Sequence, residues 1–135
     1  MALDYLSDWT LYYRIRDAYK EHNSLIVAYD IDDTVRPFRA SEESCRKVRE
    51  LLKEVKRYVP NVDFIVFSAN PNLDKVAEFL IKEKLPWNYI NENSELVPRT
   101  YFNQDKIYYH ILLDDKAGLS ESYRCLKRFV EDFKK

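Results

Sequence analysis

Four short apolar runs alternate with amphipathic stretches along this chain. The runs occupy residues 25–29, 62–67, 87–90 and 107–113, the third being the weakest. Their length and their β-branched and aromatic content fit strands covered on both faces, as in a parallel sheet. Between them lie helical patterns. Ser41 is placed to cap a helix with Glu42 and Glu43 in its first turn, where negative charge is favourable. Its apolar stripe follows at three-and-four spacing as Cys45, Val48, Leu52, Val55 and Val59. Asn72 is placed to cap a second helix, with Leu73, Val76, Ala77, Leu80 and Ile81 facing inward and an end before Pro86. Ser120 is expected to open the last, with Tyr123, Leu126, Val130 and Phe133 as its stripe. Residues 3–22 read as a further helix ahead of the first strand, with Tyr5, Trp9, Tyr12, Arg16 and Tyr19 on one face. Packing against the domain is the first expectation for that face. Its Tyr and Trp content also suits a homo-oligomer or partner contact.

Strands alternating with helices imply right-handed βαβ crossovers and a parallel sheet. The expected fold is therefore α/β: a three-layer α/β/α, Rossmann-like sandwich. No linker, repeat or low-complexity tract divides the chain. One domain over residues 1–135 is expected, with 1–23 as a helical extension and 24–135 as the core.

Composition narrows the function classes. At 135 residues the chain can bury a proper core, and 46% hydrophobic against 33% charged residues describes a globular protein rather than a disordered one. A net charge of −1 provides no general attraction to nucleic acid or anionic membrane. No apolar run approaches the ~20 residues of a membrane span, and the first residues lack the layout of a secretion signal, so a cytoplasmic location and no membrane partner are expected. Cys45 and Cys125 have no metal-type spacing and read as reduced thiols. The single glycine, Gly118, excludes the glycine-rich phosphate loops of P-loop and dinucleotide-binding folds.

The residues at the end of each apolar run carry the chemistry, because ligands of open parallel sheets collect outside the carboxyl ends of the strands. The first run delivers Asp30, Asp32, Asp33 and Thr34. The second delivers Ser68, then Ala69 and Asn70. The fourth delivers Asp114, Asp115 and Lys116, with Lys106 just ahead of it. Two unit charges ~4 Å apart repel by about 4 kcal/mol even at an effective dielectric near 20. If those strands are neighbours, their carboxylates converge, and such a cluster binds protons or a divalent cation. Oxygen ligands without histidine or cysteine favour a hard ion, Mg²⁺ first. His22 and His110 read as structural.

These residues resemble the four motifs of the haloacid dehalogenase (HAD) superfamily, in order, over about residues 24–133. Asp30-Ile31-Asp32-Asp33-Thr34 matches the first motif, Ser68 the second, Lys106 the third and Asp114-Asp115 the fourth. Lys116 competes with Lys106. The resemblance implies a Mg²⁺-dependent phosphatase acting through an aspartyl-phosphate. Asp30 would be its nucleophile and Asp32 its acid and base. Asp30, the Asp32 carbonyl, Asp114 and Asp115 would hold the metal, with Ser68 and Lys106 on the phosphoryl oxygens. Thr34 would orient the nucleophile loop, and Asn70 and Arg36 would join it toward the substrate. Arg36, Arg39 and Arg99 lie in loops that could guide an anionic substrate.

The stretches after the first motif and before the fourth are too short for an independent cap domain. A capless member is expected, which the resemblance associates with a large phosphorylated substrate or with shielding of the site by another subunit. A nucleotide or polynucleotide 3′-phosphate is the narrower alternative. A non-catalytic metal-binding module that contacts a partner through the N-terminal helix is the alternative of another class. A receiver domain has similar residues in a different chain order.

Overall fold

The computed structural model describes residues 3–97 and 106–135. Helix α1 (Thr10–His22) leads into β1 (Leu25–Asp30), and α2 (Glu42–Tyr58) connects it to β2 (Val62–Phe67). Then come α3 (Leu73–Lys82), β3 (Tyr89–Ile90), β4 (Ile111–Leu113) and α4 (Leu119–Phe133). The four strands are all parallel, in the order β3-β2-β1-β4. This is an α/β, Rossmann-like arrangement, and among the described residues no cap domain is evident.

Successive strand residues face opposite ways, and burial follows that alternation. Leu25, Val27, Tyr29, Phe64 and Val66 join the large core together with residues from all four helices, among them Ile15, Leu52, Leu80 and Phe129. Ile26, Ala28 and Ile65 face the other way, beneath Ile107, Tyr108 and Tyr109. The topology explains the division. The steps from β1 to β2 and from β2 to β3 run in one direction, so right-handed crossovers put α2 and α3 on one face. β4 lies on the other side of β1, and residues 107–109 just ahead of it pack on the opposite face. The chain thus reverses direction between β1 and β4, the position where open parallel sheets form their ligand crevice.

Local signals read in the sequence recur here. Ser41 Oγ accepts the Ser44 N–H at 3.1 Å to start α2, and the Asn72 side chain accepts the Lys75 N–H at 3.2 Å to start α3. Three expectations shift. The helix expected from residue 3 begins at Thr10, because the Asp4 carboxylate closes a turn on the Leu6 N–H and the Ser7 hydroxyl (2.9 Å each) and Trp9 is left-handed. The last helix begins at Leu119, after Gly118 at φ 68°, a conformation glycine adopts freely, and not with a Ser120 cap. The fourth strand is confined to Ile111–Leu113, since residues 107–109 lie over the second face. On α1, Tyr12 and Ile15 are buried, while Tyr5, in the turn ahead of the helix, is exposed. Tyr19 meets Phe129 and Phe133 of α4 edge-on, at 5.7 and 5.3 Å between ring centroids. Both cysteines are buried and free, and among the described residues no helix is long and apolar enough to cross a membrane.

His110 substitutes for part of the missing strand. Its N–H donates to the Ile26 carbonyl at 2.9 Å, and its Nδ1 accepts the Ile26 N–H at 2.8 Å. Burial, with His22 and Arg14 nearby, pushes its imidazole down to about 4. A base with a depressed folded-state pKa stabilises the fold above its ordinary value near 6.5. That contribution is lost as pH falls toward 4. His110→Ala should therefore cost about 1–3 kcal/mol at pH 7.5 by stranding the Ile26 donor. In urea unfolding the cost should shrink at pH 5.

Candidate functional site

The loop after β1 is shaped by its own side chains. Ile31 is buried in the core and its carbonyl accepts the N–H groups of Thr34, Val35 and Arg36 at 3.3, 2.9 and 2.9 Å. This anchor turns the chain sharply and leaves the flanking aspartates outside the core. Asp33 stands in the left-handed region at φ 65°, and its Oδ1 accepts the amides of Phe38, Arg39 and Ala40 at 2.9, 2.6 and 2.9 Å. Those amides, Ala40 first, hold its carboxyl below the usual range. Asp33 is thus a loop former. Thr34 is fully buried and bonded to Asp115: its Oγ1 accepts the Asp115 N–H at 3.0 Å and lies 3.2 Å from Oδ1. It orients the second acidic pair instead of lining the cleft.

Strand register brings the two acidic stretches together. Tyr29 pairs with Leu113, so the next step sets Asp30 beside Asp114. Asp30, Asp114 and Asp115 each offer a carboxylate oxygen, and these lie within 4.8 Å of one another. One Asp114 oxygen accepts the Lys116 N–H at 2.9 Å. The Asp30 carboxyl is pushed up to about 7, by burial first, then by its hydrogen bond to Asp115 and the charge of Asp114. Such a group can retain a proton or accept a hard cation. Asp32 is not part of this cluster. Its Oδ1 receives Arg36 Nη2 at 2.6 Å and Nε at 2.8 Å.

A cleft of about 780 Å³ opens here, lined by Asp30, Asp32, Asp115, Ser68 and Asn70 along with Arg36, Phe38, Arg39, Phe79 and Lys116. Ser68 is held from two sides. Its N–H donates to Asn91 Oδ1 at 3.0 Å while Asn91 Nδ2 donates to its carbonyl at 2.8 Å. Ser68 Oγ accepts the Asn70 N–H at 3.1 Å, which leaves its own hydrogen free to donate into the cleft. Lys106 is exposed and is not among the lining residues, whereas Lys116 is. No residue of α1 lines the cleft, and Arg99 lies outside the described residues.

Sequence reasoning missed Asn91, Phe38 and Phe79. The nearby Asn88 of "WNYIN" also brackets one β2 residue, its main-chain N–H donating to the Phe64 carbonyl at 2.9 Å and its Oδ1 accepting the Phe64 N–H at 2.8 Å. The aromatic residues carry no local mark that separates them from ordinary packing or exposure.

Comparison with protein-family models, with curated proteins and with solved structures returned no match.

A carboxyl whose folded-state pKa is raised binds its proton more tightly folded than unfolded. Stability from Asp30 is therefore greatest below the ordinary carboxyl value, falls as pH rises toward 7 and is level above. In chelator, Asp30→Asn should exceed the parent by about 1–2 kcal/mol at pH 8, the one-proton linkage being discounted for partial exposure. Urea unfolding at pH 8 and pH 4.5 checks this: the advantage should be lost at the lower pH.

Proposed function

We propose that the chain is a Mg²⁺-dependent phosphohydrolase that cleaves a phosphate monoester through an aspartyl-phosphate on Asp30. The observation supporting this reading is the meeting of Asp30 with Asp114 and Asp115 where the strand order reverses, with Asp30 and Asp115 lining the cleft that Ser68 also lines. The metal fits the donor set. The three carboxylates present oxygen only, closely enough for one hard ion to be shared, and the Asp32 main-chain carbonyl would complete the protein's contribution. When bound, Mg²⁺ offsets the repulsion among carboxylates and phosphoryl oxygens and polarises the phosphorus centre.

The side chains divide the remaining work. In the first half, an Asp30 carboxylate oxygen bonds to phosphorus as the bond to the leaving oxygen breaks, and Asp32 gives that oxygen its proton. In the second, Asp32 takes a proton from water, whose oxygen attacks phosphorus and releases Asp30 and inorganic phosphate. Ser68 donates its free hydroxyl hydrogen to a phosphoryl oxygen, an interaction that strengthens as charge develops there. The cationic role that the motif resemblance gives Lys106 falls here to Lys116, because Lys116 lines the cleft. Thr34 fixes Asp115 and Asn91 fixes Ser68, so both act through a neighbour.

The test is phosphate release from p-nitrophenyl phosphate and a panel of monoesters. Activity should require Mg²⁺, stop with chelator and drop by at least about 10³-fold in Asp30→Asn. An Asp30→Asn protein of full activity would remove the nucleophile and the reading with it.

A further inference from the structure

The proposed reaction needs Asp32 at the leaving oxygen, yet Asp32 is already engaged. Arg36 gives both Nε and Nη2 to one of its oxygens, at 2.8 and 2.6 Å, while the guanidinium lies over the Phe79 ring, 5.5 Å from its centroid. Acid and arginine line the same cleft. The grip is a loose one. The two side chains remain 44% and 60% exposed, and ion pairs so exposed contribute little. A ligand anion within reach can therefore take the guanidinium fork, which matches carboxylate and phosphate geometry.

The rest of this wall points the same way. Arg39 has no carboxylate at ion-pair distance among the described residues, although it also lines the cleft. Phe38, between the two arginines in sequence, is 79% exposed. A phosphoryl group is provided for by Ser68, Lys116 and the acidic cluster, and it occupies a small part of about 780 Å³. Cavities of that size hold ligands of many atoms. The arginine wall is left for the leaving group.

We propose that Arg36 is a latch on Asp32 that a second anionic group of the substrate releases. This inference rests on the hydrolase reading and gives it a substrate class: phosphate monoesters whose leaving group carries a further carboxylate or phosphate. That anion draws the guanidinium from Asp32, and the freed carboxyl turns to the leaving oxygen. A plain monoester leaves the latch closed and reacts slowly. Arg36 is thus a specificity-determining residue whose effect depends on the charge of the leaving group.

The experiment compares kcat/KM on phenyl phosphate with the three carboxyphenyl phosphate isomers, and on glycerol phosphate with phosphoglycerate, using the full chain with Mg²⁺. At least one acidic ester should exceed its parent by about tenfold or more, and in Arg36→Gln that ratio should fall to within about twofold. Arg36 is exposed, so the substitution leaves folding intact, which matched unfolding temperatures check. A purely structural arginine would lower every substrate alike and preserve the ratio. Turnover without preference for any acidic ester, or a preference that survives Arg36→Gln, overturns the latch while sparing the hydrolase. Absence of turnover on every ester, in a protein that Asp30→Asn does not change, overturns both.

Discussion

Parallel pairing of β1 with β4 sets the terms for the rest of the molecule. Because Tyr29 is opposite Leu113, the strands end with Asp30 beside Asp114, and Asp115 follows at once. Neighbouring strands are about 4.8 Å apart, so carboxylates at adjacent ends must share a small volume. At that range two unit charges repel by a few kcal/mol even with a protein-like dielectric. The fold holds them there with apolar burial on both faces of β1 and with Thr34, whose buried hydroxyl fixes Asp115. An arrangement costly to the empty protein becomes favourable once a proton or a cation is shared.

A chain with one glycine must make tight turns in other ways. Among the described residues six that are not glycine have positive φ, and four are Asn or Asp: Asn23, Asp33, Asn61 and Asn91. These tolerate the left-handed region better than other side chains. They also contribute polar groups that glycine lacks. Asp33 gathers three amides of its own loop, and Asn91 brackets Ser68. The loops that carry the site are therefore tied by side chains to backbone, which suits groups that must be aimed.

Much of this was legible in the residue pattern. The β1, α2, β2 and α3 segments have long or well-capped signatures, and their starts at Ser41 and Asn72 depend on local bonds that sequence specifies. Strand ends predict the meeting of Asp30 with Asp114 only if the first and last strands are neighbours, and the pairing of β1 with β4 makes them so. The β4 boundary was not legible, because an apolar run reads the same whether it pairs in a sheet or lies across one, as residues 107–109 do. The Asp32–Arg36 pair also escaped notice: its i, i+4 spacing looks helical, yet it forms across a turn that Ile31 anchors. Spacing alone does not say which of Lys106 and Lys116 the chain turns toward the cleft, and only Lys116 lines it.

The proposed hydrolase requires one cation among Asp30, Asp114 and Asp115, whose carboxylates are close enough to share it. Anomalous diffraction from crystals grown with Mn²⁺ in place of Mg²⁺ tests this most directly. A single strong peak about 2.2 Å from oxygens of Asp30 and Asp114 is the expected result. A refined structure with those two carboxylates pointing away from each other, or manganese bound elsewhere and none between them, would contradict it.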